Sequence, residues 1–253
     1  MELIATHAGL DGASLAWCLA AVFAAAAVRA YAGFGMSALL VSGLSLMLPP
    51  AEIVPVTLLL EAAASTALLP AIRRDLDWAI MRPLLAGAVP AVPLGAWLLA
   101  SLPDAAMRAL LSLLVLAATV AVWRGFTLRR SPGAAGHGAV GAVSGAMFGA
   151  VAIGGLPVVA WLLACSTRAA AARAILALLL LSMGLYGAAV AGAFGLLDAQ
   201  GLWRAALFLP PLLVGVALGN RRFVTSSQDS WRQVALALLA LLAVAGLVRA
   251  LMA

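Results

Sequence analysis

The sequence predicts an all-α polytopic membrane protein made of two inverted repeats. Three observations support this fold class: a very apolar composition, about eight apolar runs, and one glycine break in each half. Hydrophobic residues make up 66% of the 253 positions and charged residues 9%, against roughly 25% charged residues in a soluble domain. Such a chain cannot cover itself with polar surface, so we expect a lipid bilayer to surround a single membrane domain over residues 1–253.

The charged and reactive residues exclude several classes of function. The 15 basic residues are all arginine, and no more than two are adjacent, so the basic excess does not indicate nucleic-acid binding. Cys18 and Cys165 belong to apolar runs and are expected to be free thiols. His7 and His137 lie at the edges of runs, and no Gly-x-Ser-x-Gly motif occurs. We therefore expect no catalytic residues, no metal and no cofactor.

The apolar runs follow one another in the same order in each half. The first half, residues 14–123, has one broken run and three unbroken ones; the second half, residues 137–252, repeats this order. The joint at residues 124–136 is the one whose composition resembles a linker. The runs cover residues 14–48, 51–69, 79–102, 105–123, 137–165, 169–197, 202–219 and 231–252.

The broken runs are interrupted by glycine. The first break comprises Gly33, Phe34 and Gly35, and the second comprises Gly154 and Gly155. The apolar pieces that follow, residues 36–48 and 156–165, span about 20 Å and 15 Å at 1.5 Å per residue, less than the roughly 30 Å of a bilayer core. An interrupted helix is tolerated in a membrane only where protein or a water-filled cavity satisfies its backbone. Matched breaks in two halves are a pointer to the substrate site of a transporter.

The arginines favour one of two topologies, because short cytoplasmic loops are rich in arginine. Of the 15 arginines, Arg29 lies inside a run and 14 lie near run ends. If each broken run crosses the membrane once, these 14 divide six to eight between the faces. If each broken run returns to the side it entered, they divide eleven to three, with Arg108, Arg204 and Arg249 on the poorer face. The re-entrant topology is therefore predicted, with three full crossings per half, which inverts the second half.

Arg29 and the backbone at the breaks are candidates for binding an anion. An arginine within a membrane marks an ion path or a paired charge, and its planar fork suits an oxyanion; the alternative is that it snorkels or neutralises a carboxylate. Gly33, Gly35 and Gly154 are candidates as well, because they end half-helices whose positive ends present free N–H groups that would attract an anion. These N–H groups belong to Met36, Ser37, Gly155 and Leu156. The alternative is that the glycines permit close helix packing, the role expected for Gly141, Gly145 and Gly149.

Glu61 is the other ionisable residue deep in a run. Thr57, Glu61 and Ser65 are spaced four apart, so they share one helical face, which should point into the bundle. Two roles remain open for Glu61: it binds a coupling proton, or it is the fixed partner of Arg29.

The second half has a matching but uncharged polar pair. Ser182 and Tyr186 lie four residues apart in the corresponding run, so they are further candidates for contact with substrate. Arg173, near the start of that run, is interpreted as a cytoplasmic anchor.

The motifs around the breaks resemble a known family. Residues 33–40 (GFGMSALL), followed by Leu48, Pro49 and Pro50 at a helix start, resemble the first repeat of the sulfite exporter TauE/SafE family, and residues 149–157 resemble the second. The resemblance extends over essentially the whole chain.

This resemblance implies a carrier in the bacterial inner membrane. Its substrate would be a small anion that contains sulfur or is organic, such as sulfite, a sulfonate or a carboxylate, bound near the midplane, with a proton as a candidate coupling ion. The alternatives are a membrane scaffold or assembly factor that transports nothing, and a carrier for an unrelated small solute. The sequence does not specify the oligomeric state.

Overall fold

The computed structural model describes residues 9–44, 48–103 and 133–224, together with the single residues 106, 113 and 237. Over these ranges the regular structure is helical. The helices are α1 (Gly12–Ala32), α2 (Met36–Leu44), α3 (Pro50–Ile72), α4 (Trp78–Ser101), α5 (Gly133–Val151), α6 (Gly155–Ala164), α7 (Ala169–Ala193) and α8 (Ala199–Val224), with a 3-10 turn at Arg73–Asp75. Most of the predicted runs at residues 105–123 and 231–252, and most of the linker, lie outside the described residues.

Six of these helices are long and apolar enough to cross a membrane, namely α1, α3, α4, α5, α7 and α8. The other two, α2 and α6, have 9 and 10 residues. At 1.5 Å per residue they reach about 14 Å and 15 Å, roughly half of a bilayer core. The prediction of an all-α polytopic membrane protein is confirmed.

Both breaks occur where the sequence predicts them, but for different physical reasons. Between α1 and α2, Gly33 and Gly35 have φ of 89° and 96°, in the left-handed region that glycine adopts without steric strain. Between α5 and α6 the left-handed residue is Ala152, with φ 58°. Gly154 is needed there for space, because a Cβ atom would lie 2.7 Å from the backbone oxygen of Ser144.

The second broken run folds back on itself. The indole Nε1 of Trp161, in α6, donates a hydrogen bond of 2.8 Å to Nδ1 of His137, near the start of α5. The half-helix α6 therefore returns alongside α5 instead of continuing its path, as the re-entrant topology predicts.

An ion pair between the two halves also agrees with the re-entrant topology. Arg168, just before α7, lies 3.1 Å from Asp75, just after α3. If each broken run crossed once, these two joints would lie on opposite faces of the membrane. The ion pair places them side by side, as the re-entrant topology predicts; the topology itself stays a prediction.

Among the described helices, the closest backbone contacts made through glycine join two helix pairs. In α5, a Cβ atom added at Gly141, Gly145 or Gly149 would lie 2.1–2.2 Å from a carbonyl oxygen of α4. In α8, Gly215 and Gly219 meet carbonyl oxygens of α1 in the same way, at 2.5 Å and 2.2 Å. The predicted packing role of the three α5 glycines is confirmed, and it matches the small-residue interfaces of membrane helices.

These contacts also give the relative directions of the helices. Successive glycines of α5 meet Leu84, Ala88 and Val92, each four residues further along α4, so α4 and α5 run in parallel. The α8 glycines meet Phe23 and then Ala27, so α1 and α8 are also parallel. The ion pair joins Asp75, after the C-terminal end of α3, to Arg168, before the N-terminal end of α7, so α3 and α7 are antiparallel. Two inverted halves would produce this pattern; the repeat relation itself stays a prediction.

Candidate functional site

A buried ion pair joins the first break to α3. Arg29 Nε lies 2.8 Å from Glu61 Oε2, and the two side chains are 0% and 1% exposed. The other two guanidinium nitrogens are also bonded, Nη1 to the carbonyl of Gly33 at 2.9 Å and Nη2 to Oγ of Ser65 at 2.7 Å. Of the two roles left open for Glu61, the partner of Arg29 is therefore present in this structure.

Helix α2 begins directly against the carboxylate of Glu61. The backbone N–H of Ser37 donates to Oε1 at 3.3 Å, and the hydroxyl of Ser37 donates to the same oxygen. The first N–H groups of a helix have no partner within it and lie at its positive end. The position where we predict an anion is therefore occupied by the protein's own carboxylate.

Each charge of this pair lies at a helix end of opposite polarity. Arg29 lies in the last turn of α1, where the partial negative charge favours a cation. The carboxylate of Glu61, a residue of α3, contacts the first turn of α2, where the partial positive charge favours an anion. The break between α1 and α2 creates both helix ends within a few residues. It thus stabilises an ion pair whose desolvation would otherwise be unfavourable.

Arg173 belongs to the same region, so its interpretation as a cytoplasmic anchor is wrong. Its side chain is 2% exposed, and Nη2 donates to the carbonyl of Ala30 and, at 2.8 Å, to Oδ1 of Asn220. Ala30 is among the last four residues of α1, whose carbonyls lack partners within the helix. The sequence signal was weak, because Arg173 is only the fifth residue of its predicted run, residues 169–197.

The two breaks meet each other. A Cβ atom added at Gly155 would lie 3.6 Å from Cβ of Phe34, and one added at Gly33 would lie 3.3 Å from Cγ of Arg173. The first break thus contacts both the second break and α7. Backbone interrupted in separate halves of the chain converges at one place, as the sequence predicts.

A small cavity lies between the two half-helices. It has a volume of about 10 Å³, room for about one water molecule. A sulfite ion or a sulfonate group is larger than a water molecule, so this conformation is closed to such a solute. The described residues that line the cavity are Gly35, Ser37, Ala38, Glu61, Ile153, Gly155, Leu156 and Leu180.

The second half-helix begins without any charge. Its N-cap, Gly154, provides no side-chain hydrogen bond, and the carbonyl of Gly154 accepts a 2.6 Å bond from Oγ of Ser144. Gly155 and Leu156 form this helix start and part of the cavity wall. The two helix N-termini are therefore unequal, because a carboxylate caps α2 whereas no described side chain caps α6.

The remaining predicted residues divide into two groups. Thr57 and Ser65 are buried on the same face of α3 as Glu61, and Met36 is buried at the start of α2. Ser182 donates to the carbonyl of Leu178 within α7; Ser182 and Tyr186 are half-buried, and neither belongs to the cavity wall. Sequence reasoning missed Ser144, Asn220 and Leu180, which have no distinctive sequence pattern.

Replacing Ser144 with Ala should destabilise the second break, because the carbonyl of Gly154 then loses its buried hydrogen bond. We expect a decrease of about 1 kcal/mol in the free energy of unfolding, measured on purified protein in detergent. Ser182→Ala is the matched control, since its hydroxyl bonds only within its own helix. Equal losses for the two variants would contradict a special role of Ser144 at the break.

The comparison with protein families agrees with this architecture. The family model described as Sulfite exporter TauE/SafE matches residues 18–246, nearly the whole chain. The chain belongs to the sulfite exporter TauE/SafE family. No curated protein and no solved structure matches it.

Membership defines the general class of the protein. TauE/SafE proteins are membrane transporters and not enzymes. This TauE/SafE protein is therefore a multi-pass membrane protein of a transporter family, in agreement with its six helices that are long and apolar enough to cross a membrane.

Proposed function

We propose that this TauE/SafE protein is a secondary carrier for small anions that contain sulfur or are organic, such as sulfite and sulfonates. The anion binds where α2 and α6 meet, near the midplane, and the membrane is the bacterial inner membrane. The observation that carries the proposal is the shared cavity at the N-termini of two half-helices from different halves of the chain.

The charges around the cavity support an anion over a cation. Two guanidinium groups, Arg29 and Arg173, and one carboxylate, Glu61, are buried around the first break. The described part of this region therefore has one net positive charge. Two helix N-termini add their partial positive charges at the cavity wall.

Gly155→Ala tests the position of the site. The new methyl group would make ordinary contacts, 3.6 Å to Phe34 and to Leu180, so the fold should persist. It would, however, occupy the wall of a cavity with room for about one water. We expect anion binding and flux to fall by about tenfold or more, the loss that follows from about 1.4 kcal/mol of steric conflict.

Binding is measured on purified protein with sulfite, methanesulfonate, taurine and acetate, and flux in proteoliposomes. Gly192→Ala is the control, because nothing lies within 4 Å of its added methyl group. A Gly155→Ala variant that is folded and binds like the wild type would contradict the position of the site. A wild-type protein that binds and transports none of these anions would favour the scaffold or another solute.

A further inference from the structure

Glu61 lies between the cavity and Arg29. Glu61 is part of the cavity wall, whereas Arg29 is not among the described residues that line it. Each of the three guanidinium nitrogens of Arg29 already has a hydrogen-bond acceptor, in Glu61, Gly33 and Ser65. A solute in the cavity thus meets a carboxylate first and reaches the arginine only after that carboxylate is neutralised or displaced.

The bonds made by Glu61 are those that an oxyanion would make. Its oxygens accept from a backbone N–H and a hydroxyl of Ser37 and from Nε of Arg29. A sulfite, sulfonate or carboxylate oxygen has the same acceptor chemistry and prefers charge-assisted donors of this kind. Glu61 therefore occupies the donors that a transported anion needs.

The other ionisable groups on the surrounding helices have different partners. Arg173 of α7 bonds to Ala30 and Asn220, and Arg204 of α8 pairs with Glu52 at 2.7 Å. His137 of α5 accepts from Trp161. The remaining titratable side chains of α1, α7 and α8 are Cys18, Tyr31, Tyr186, Arg221 and Arg222, of which the two arginines are exposed. Helix α2 has no titratable side chain.

We infer that Glu61 is a tethered competitor of the transported anion, and that it must take up a proton for the anion to replace it at Ser37 and Arg29. Two anions in contact at a buried position repel each other strongly, so the anion and the charged form of Glu61 exclude each other. When a monovalent anion enters and Glu61 gains one proton on a carboxyl oxygen, the net charge of the region is unchanged. The carrier then moves one proton with each monovalent anion.

This inference rests on the proposed function and makes a separate prediction about protons. In wild-type proteoliposomes, uptake of methanesulfonate should acidify the lumen, with about one proton per anion. Over the pH range in which anion binding takes up one proton, affinity should fall by about tenfold for each unit rise in pH, because binding and proton uptake are linked. Methanesulfonate is a suitable probe because it stays a monovalent anion throughout this range.

Glu61→Gln is the decisive variant, because glutamine resembles the protonated acid. We expect it to bind methanesulfonate with no dependence on pH and to transport it with no proton. Glu52→Gln is the matched control on the same helix; its carboxylate is 44% exposed, and this variant should keep the wild-type pH dependence.

The outcomes separate the two proposals. Wild-type transport without proton movement, or a Glu61→Gln variant with the wild-type proton count, overturns the role of Glu61 and leaves the anion carrier intact. A wild-type protein that transports none of the anions tested above rejects both. If Glu61→Gln does not fold, the measurement is proton uptake by the detergent-solubilised wild type on addition of methanesulfonate. Binding without proton uptake overturns the role of Glu61.

Discussion

Replacing Arg29 with Met is expected to destabilise the protein by about 3–5 kcal/mol, the usual loss when one partner of a buried ion pair is removed. The reason is the carboxylate left behind. Glu61 is 1% exposed and would keep its bonds to Ser37 while losing its only described ion-pair partner. The free energy of unfolding is measured by tryptophan fluorescence on purified protein in detergent.

A double variant separates the buried charge from the loss of the arginine itself. In Arg29→Met with Glu61→Gln, no unpaired charge remains, and the glutamine oxygen still accepts from Ser37. We therefore expect most of the lost stability to return, although anion binding stays absent because the guanidinium is missing. If the double variant is as unstable as Arg29→Met alone, the unpaired carboxylate is not the cause of the loss.

Gly145→Ala is expected to disrupt the contact between α4 and α5. The new methyl group would lie 2.2 Å from the carbonyl oxygen of Ala88, far inside van der Waals contact, so one helix has to move away from the other. Overpacking of this kind costs about 1–3 kcal/mol, and here the clash is with rigid backbone. The expected result is a lower melting temperature and loss of the monodisperse peak in size-exclusion chromatography.

The control for this variant is Gly192→Ala in α7. Nothing lies within 4 Å of a methyl group at that position, so alanine there should be neutral, or stabilise the helix slightly through its higher helix propensity. Similar melting temperatures for the two alanine variants would show that the close approach of α4 and α5 contributes little to stability.

The sequence predicted the features that depend on local pattern. Glycine spacing indicated both breaks and the packing role of Gly145, and the period of the α-helix placed Thr57, Glu61 and Ser65 on one buried face. The partnership of Arg29 with Glu61 was one of two roles left open, because each is a charge deep in an apolar run. A charge buried alone in a membrane is unfavourable, so each of these two residues needs an ion path or a partner of opposite charge.

The features that depend on distant contacts were not predictable. Arg173 lies close to the start of its run, and the sequence does not fix that start closely enough to distinguish a buried arginine from one at the membrane surface. Periodicity also does not identify what a helix face contacts. The contact of the Glu61 carboxylate with the start of α2 is therefore seen only in the structure. Ser182 and Tyr186 show the same limit: their spacing is polar and regular, but it does not show that their face turns away from the cavity wall.

The glycine contacts have a consequence for how the proposed carrier would open. Helix α5 of the second half is held against α4 of the first, and α8 of the second against α1 of the first, so each tightly packed pair mixes the two halves. Neither half can rotate as a rigid unit without separating an interface in which the two helix backbones are in contact. In the proposed carrier, alternating access would therefore slide the two mixed pairs relative to α3 and α7, the most buried of the long helices, and the breaks between them would act as hinges.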